Sequence, residues 1–209
     1  MRRLVTHTRW LVLFVLLAWG SNLQAAVIDV GTHDIGANTN SFVIPIMVTT
    51  NTAETVTDMV LRAQVEDGGT EFGGSEDGPA IVGIDYTGTV WEATNFNASF
   101  SPGLAVGDFR QLVQSDVSID FATGVPVAAN GVLVNVVVDV TGLPVGRSYA
   151  LNLTGTLAGD STFLGLPSPQ INNGTITIVP IPEPSSAWLL LLTVGLALSR
   201  GAKRATARL

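Results

Sequence analysis

The chain has 209 residues, no cysteine, two histidines and a formal net charge of −7. All seventeen carboxylates lie between Asp29 and Glu183, where only Arg62, Arg110 and Arg147 oppose them: three cations against seventeen anions, a formal −14. Such a domain repels nucleic-acid phosphate, and a chain without thiolates can build neither a disulfide framework nor a zinc–thiolate site.

At the N-terminus, Met1-Arg2-Arg3 and Arg9 precede an apolar run from Trp10 to Trp19, and Gly20-Ser21-Asn22-Leu23-Gln24-Ala25-Ala26 follows. A basic start, a short apolar stretch and small residues after it predict a secretory signal peptide over residues 1–25, removed by signal peptidase after Ala25. A cut after Ala26 is the alternative and places Gln24 three residues before the scissile bond.

Residues 26–179 carry strand signals and almost no helix signal. Gly31-Thr32-His33-Asp34 reads as a turn, and His33 is the one histidine left once the signal peptide is gone. Phe42, Ile44, Ile46 and Val48 then alternate in one phase, as do Met59, Leu61, Ala63 and Val65. The cluster Glu66-Asp67-Gly68-Gly69-Thr70-Glu71 with Glu76-Asp77-Gly78 follows. Glu66, Asp67, Glu71, Glu76 and Asp77 are candidate oxygen ligands for calcium, although their spacing is not that of an EF-hand and a hydrated loop has the same composition. Trp91, with Phe96 and Phe100, reads either as core or as an aromatic platform for a sugar ring.

Val132, Val134, Val136, Val138 and Val140 form the clearest stripe, with Asn135 and Asp139 on the opposite face. Tyr149, Leu151 and Leu153 follow, then Ile176 and Ile178. Period-two alternation with one polar face predicts half-buried antiparallel strands. The intervening turns are Gly36-Ala37-Asn38, Gly142-Leu143-Pro144 and Asn172-Asn173-Gly174. The expected fold is all-β: an antiparallel, jelly-roll-like β-sandwich of eight or nine strands. Phe42 to Val65, and the later Asn130-Gly131 with Gly146-Arg147-Ser148-Tyr149-Ala150-Leu151, resemble the opening and the end of cohesin-like domains. That resemblance implies a nine-stranded sandwich.

The C-terminus has three parts. Residues 180–186 are the rigid Pro180-Ile181-Pro182-Glu183-Pro184-Ser185-Ser186, which suits neither helix nor central strand. Residues 187–199 hold the uncharged run Ala187 to Leu198 and predict a short transmembrane helix, about 18 Å long at 1.5 Å per residue. Residues 200–209 carry Arg200, Lys203, Arg204 and Arg208 without an acid, so this end stays cytoplasmic and stops transfer. Pro182-Glu183-Pro184, apolar helix and basic terminus together resemble the PEP-CTERM sorting signal of bacteria that make exopolysaccharide. The resemblance implies an exosortase-like protease-transpeptidase as partner and the tail as a temporary membrane anchor.

The residue inventory assigns no catalytic group. One histidine, no cysteine and no Gly-x-Ser-x-Gly elbow exclude the usual nucleophilic triads, and no cofactor is implied. The function expected is a non-enzymatic exported protein of the cell surface or extracellular matrix, associated with exopolysaccharide. The alternative is a cohesin-like or carbohydrate-binding module that captures a specific protein or glycan. A secreted hydrolase is the minor alternative, because plentiful carboxylates leave a glycosidase pair open.

Overall fold

In the computed structural model the described residues are 25–181, without 52, 70–77, 93–95, 103–110, 121 and 123, and without the side chains of 99–102. Glu71, Glu76, Asp77, the predicted signal peptide before Ala25, the Pro182-Glu183-Pro184 motif, the predicted transmembrane helix at 187–199 and the basic tail therefore lie outside the described residues.

Fourteen strands occur among them: β1 (Val27–Asp29), β2 (Thr32–Gly36), β3 (Phe42–Thr49), β4 (Thr55–Val56), β5 (Asp58–Val65), β6 (Ala80–Asp85), β7 (Phe96–Pro102), β8 (Leu112–Ile119), β9 (Val127–Ala128), β10 (Gly131–Asp139), β11 (Ser148–Asn152), β12 (Thr162–Leu164), β13 (Gln170–Asn172) and β14 (Gly174–Val179). Nine of these have five residues or more, against the eight or nine strands expected; the other five are two- or three-residue segments too short to show a period. One sheet runs β13-β1-β3-β10-β6. The second runs β2-β14-β11-β5-β8-β7, with β12 also paired to β5, and β4-β9 form a separate ribbon.

The two large sheets pack face to face because each turns an apolar stripe inward. Ile44, Ile46 and Val48 of β3 meet Met59, Leu61 and Ala63 of β5, Leu151 of β11 and Ile176 and Ile178 of β14 in one buried cluster. All of these are fully shielded from water. The stripes on β3, β5, β11 and β14 are therefore as the alternation predicts.

Three expectations need correction. First, the valine stripe of β10 breaks at Leu133, where a bulge separates the pairs Val132↔Met47 and Val134↔Ile46. A bulge adds one residue to a strand and reverses its phase. Val132 is thereby turned outward beside Met47, and Leu133 goes into the core. Second, His33 lies on strand β2 and not in a turn; its Nε2 is 2.7 Å from the Val30 carbonyl, and its ring meets Phe42 edge-on at 6.3 Å. Third, two strand pairs are parallel, β1 with β13 and β2 with β14.

The last two corrections share a cause. The chain leaves β1 in one sheet and enters β2 in the other across Gly31, while its parallel partner leaves β13 and enters β14 across Asn173. Val30 N–H donates to Asn172 O, and Thr175 N–H donates to Gly31 O, so the two crossings are hydrogen-bonded to each other. Asn172-Asn173-Gly174 is thus a step between sheets rather than a hairpin turn.

Candidate functional site

The outer face of the second sheet carries a polar surface. On β5 the core residues Met59, Leu61 and Ala63 alternate with Asp58, Val60 and Arg62, which face out. On β8, Gln114, Asp116 and Ser118 face out in the same way. The register sets Asp58 opposite Ser118, Val60 opposite Asp116 and Arg62 opposite Gln114. β7 extends these rows with Asn97, opposite Ser118, and β12 extends them on the other side with Thr162 and Leu164. Cross-strand pairs on one face lie about 5 Å apart, so the result is a closely spaced grid.

Its hydrogen bonds fix the central side chains. Arg62 Nη1 donates to Asp160 O at 2.7 Å, and its Nε donates to Gln114 Oε1 at 3.4 Å. Gln114 Nε2 in turn donates to both carboxylate oxygens of Asp116, each at 3.3 Å. Arg62 N–H also donates to Ser161 Oγ at 2.9 Å, which ties the loop before β12 to the strand. A guanidinium held on a strand by a backbone carbonyl and an amide loses little freedom when it meets a partner.

The acids of the face crowd one another. Burial first, and the nearby Asp116 second, push the Asp58 carboxyl above the usual aspartate value. Beside the grid, Asp160, Ser161 and Thr162 line an open groove of about 380 Å³ together with Phe163, Pro169 and Ile171. On the inner side of β8, Tyr86 OH pairs with Ser115 Oγ at 2.7 Å, and burial pushes the phenol up to about 12. The geometry offers fixed donors, acceptors and charges on a flat face. Among the described residues, no three of His, Asp and Glu converge as metal ligands.

The residues singled out in the sequence fall elsewhere. Glu66 accepts the Ala150 N–H at 2.7 Å through its carboxylate, while its own N–H donates to Ala150 O, so it prolongs the β5–β11 ladder. Asp67 accepts the Gly69 N–H at 3.2 Å. Trp91 is fully buried, and its indole N–H donates to Leu133 O at 2.9 Å. It satisfies a carbonyl at the residue that the β10 bulge leaves out of register, which removes it from any sugar platform. Phe96 is half-buried against Tyr86, with ring centres 5.7 Å apart, and the Phe100 side chain is outside the described set. Arg62, Gln114, Asp58 and Asp116 were not apparent as a group beforehand. The outward phase of β5 was readable, but its register with β8 was not.

The architecture is similar to that of cohesin domains. The third cohesin of ScaC from Acetivibrio cellulolyticus, solved with the ScaB dockerin, superposes with a TM-score of 0.54 at 15% identity, covering 74% of this chain and 99% of that one. The sixth cohesin of scaffoldin B from the same organism, solved with a Cel5 dockerin, gives 0.53 at 14% identity over 74% of this chain and 99% of that one. The seventh ScaB type I cohesin from Pseudobacteroides cellulosolvens gives 0.50 at 13% identity, covering 78% and 97%. The domain has a cohesin-like fold. No protein-family model matches the chain, and no curated protein matches its sequence.

Proposed function

We propose that this chain is a non-enzymatic binding protein of a bacterial surface, and that its cohesin-like sandwich captures a protein partner on the grid of β5, β8 and β12. The observation that carries the reading is the fixed Arg62–Gln114–Asp116 row on a fold whose structural neighbours are cohesins bound to dockerins. A flat sheet face with charges of both signs suits a protein surface better than a sugar ring, which needs an accessible aromatic plane. The burial of Trp91 weighs against the glycan reading.

Export and sorting complete the proposal. The signal peptide is removed after Ala25, and the tail is offered to an exosortase-like enzyme through Pro182-Glu183-Pro184. Residues 187–199 hold the precursor in the membrane until then, with Arg200, Lys203, Arg204 and Arg208 inside. Two structural facts support this layout. Ala26 is fully buried and its carbonyl accepts the Gln170 N–H at 2.8 Å, so a cut after Ala25 spares the first core residue, whereas a cut after Ala26 does not. β1–β2 also run parallel to β13–β14, so Ala26 and Ile181 leave the sandwich at opposite ends. The tail then holds one end at the membrane, and the mature protein joins the surface or the exopolysaccharide matrix.

The test is a capture experiment on surface fractions of the native host, run with the wild-type chain and with Arg62→Glu/Asp116→Lys, alongside a glycan array. A protein retained by the wild type and lost by the double variant is the expected result. Glycan binding, or capture indifferent to the two changes, refutes the assignment.

A further inference from the structure

The opposite sheet carries a second surface of different chemistry. Its outer face presents Val43, Pro45 and Met47 of β3, Val132 and Val137 of β10, and Val82 of β6. Val43 and Val82 are each 47% exposed and Met47 is 37% exposed. The other large exposed apolar residues among those described, such as Val125, Val145 and Leu157, are scattered over loops, on β12 and beyond β14. Here the register makes them neighbours: Met47 faces Val132, and Val43 faces Val137, which in turn faces Gly83 next to Val82. Asn135, expected to be a solvated residue of this face, is instead nearly buried and donates to Thr87 O at 3.0 Å, so it adds little polarity at the centre.

The rim is acidic. Asp29 lies beside Met47, Asp85 beside Asn135 and Asp139 beside Ala80. No Lys or Arg occurs in any of the five strands of this sheet. The apolar centre runs about 13 Å from Val43 to Met47 at 3.3 Å per residue, and about 10 Å across three strands. Those dimensions match two to three turns of a helix about 10 Å wide.

We infer that the outer face of β3, β10 and β6 is a docking surface for a cationic amphipathic segment of a partner protein, apolar towards the valines and basic towards Asp29, Asp85 and Asp139. Charge complementarity selects this occupant. A second copy of the chain would bring the same three aspartates face to face, and an anionic lipid surface would meet the same repulsion. The surface lies on the opposite side of the sandwich from Arg62 and stands independently of the function proposed for that side.

The probe is a fluorescein-labelled 18-residue peptide of Leu and Lys at helical spacing, with a scrambled peptide of equal composition as control. It is titrated by anisotropy into the full chain in a non-ionic detergent, against a micelle-only blank. Saturable binding of the patterned peptide is expected, weakened at least fivefold by Val43→Thr/Val82→Thr. Asp29→Asn/Asp85→Asn/Asp139→Asn should weaken binding and flatten its salt dependence, and Arg62→Glu should leave it unchanged. Met47→Gln serves as a second apolar variant should the valine pair unfold the sheet, as melting of each protein would reveal. The inference is overturned by no binding, by equal binding of the scrambled peptide, by indifference to the valine and methionine changes, or by sedimentation showing a dimer that Val43→Thr/Val82→Thr dissolves. Attachment to anionic vesicles that is lost in the valine variant likewise overturns it, in favour of a lipid surface.

Discussion

Asp58 shows how a single outward residue reports on its face. It points to solvent from β5, yet its carboxyl is pushed up, chiefly by burial and then by Asp116. A carboxyl whose folded value exceeds its unfolded one favours the protonated folded state, so this residue makes the protein less stable when ionised. Stability from this source rises as pH falls through the raised value and levels off below the ordinary one of 3.8. Asp58→Asn is therefore expected to stabilise the domain at pH 7, by less than about 1 kcal/mol because the group is largely solvated. The gain should vanish only below the ordinary value of 3.8, at about pH 2.5, where the carboxyl is protonated in the folded and the unfolded chain alike. Urea unfolding of both proteins at the two pH values checks this, and an equal gap at both defeats the electrostatic account. Trp91 teaches a different lesson at this scale. Its bulk was plain in the sequence, but whether it faced a ligand or the core depended on a carbonyl at Leu133 that only the bulge makes available.

Strands were legible wherever one phase held from end to end, as on β3, β5 and β14, because each stays in one sheet with one face on the core. They were misread where the phase changes within the strand or the chain changes sheet. The β10 bulge leaves the sequence a run of valines in either phase, so alternation cannot locate it. The step through Asn173 and Gly174 has the composition of a turn, and no local pattern shows that its partner is Gly31, more than a hundred residues earlier. That pairing leads to a prediction. A Cβ at Gly174 would overlap the Gly31 carbonyl oxygen and the Val30 side chain, and the carbonyl is already held by the Thr175 N–H. Gly174→Ala must push two crossing backbones apart and is expected to destabilise the fold by about 3 kcal/mol. Gly142→Ala, at φ +79° with open space around it, should cost only about 1 kcal/mol. Equal melting of the two variants would show that the crossings are not rigidly coupled.

The whole molecule divides at its charge boundaries. Among the described residues, its acidic middle forms a core that runs from Ala26 to Ile178. A fragment of residues 26–179 is therefore expected to be soluble, monomeric and β-rich, and to unfold in one cooperative step. The composition leads to the same expectation. It gave no hint that the first strand is structurally central: β1 sits between β13 and β3, and among the described strands it is β13's one ladder partner. Removing β1 takes Ala26 and Ile28 out of the core and leaves β13 with no sheet to join. A fragment of residues 30–179 should then lose several kcal/mol, in line with deleting two buried apolar side chains and a strand's hydrogen bonds. Circular dichroism and urea unfolding of the two fragments decide the matter. Comparable midpoints would mean that the sandwich closes without its N-terminal strand, and the burial of Ala26 would then no longer support a cut after Ala25.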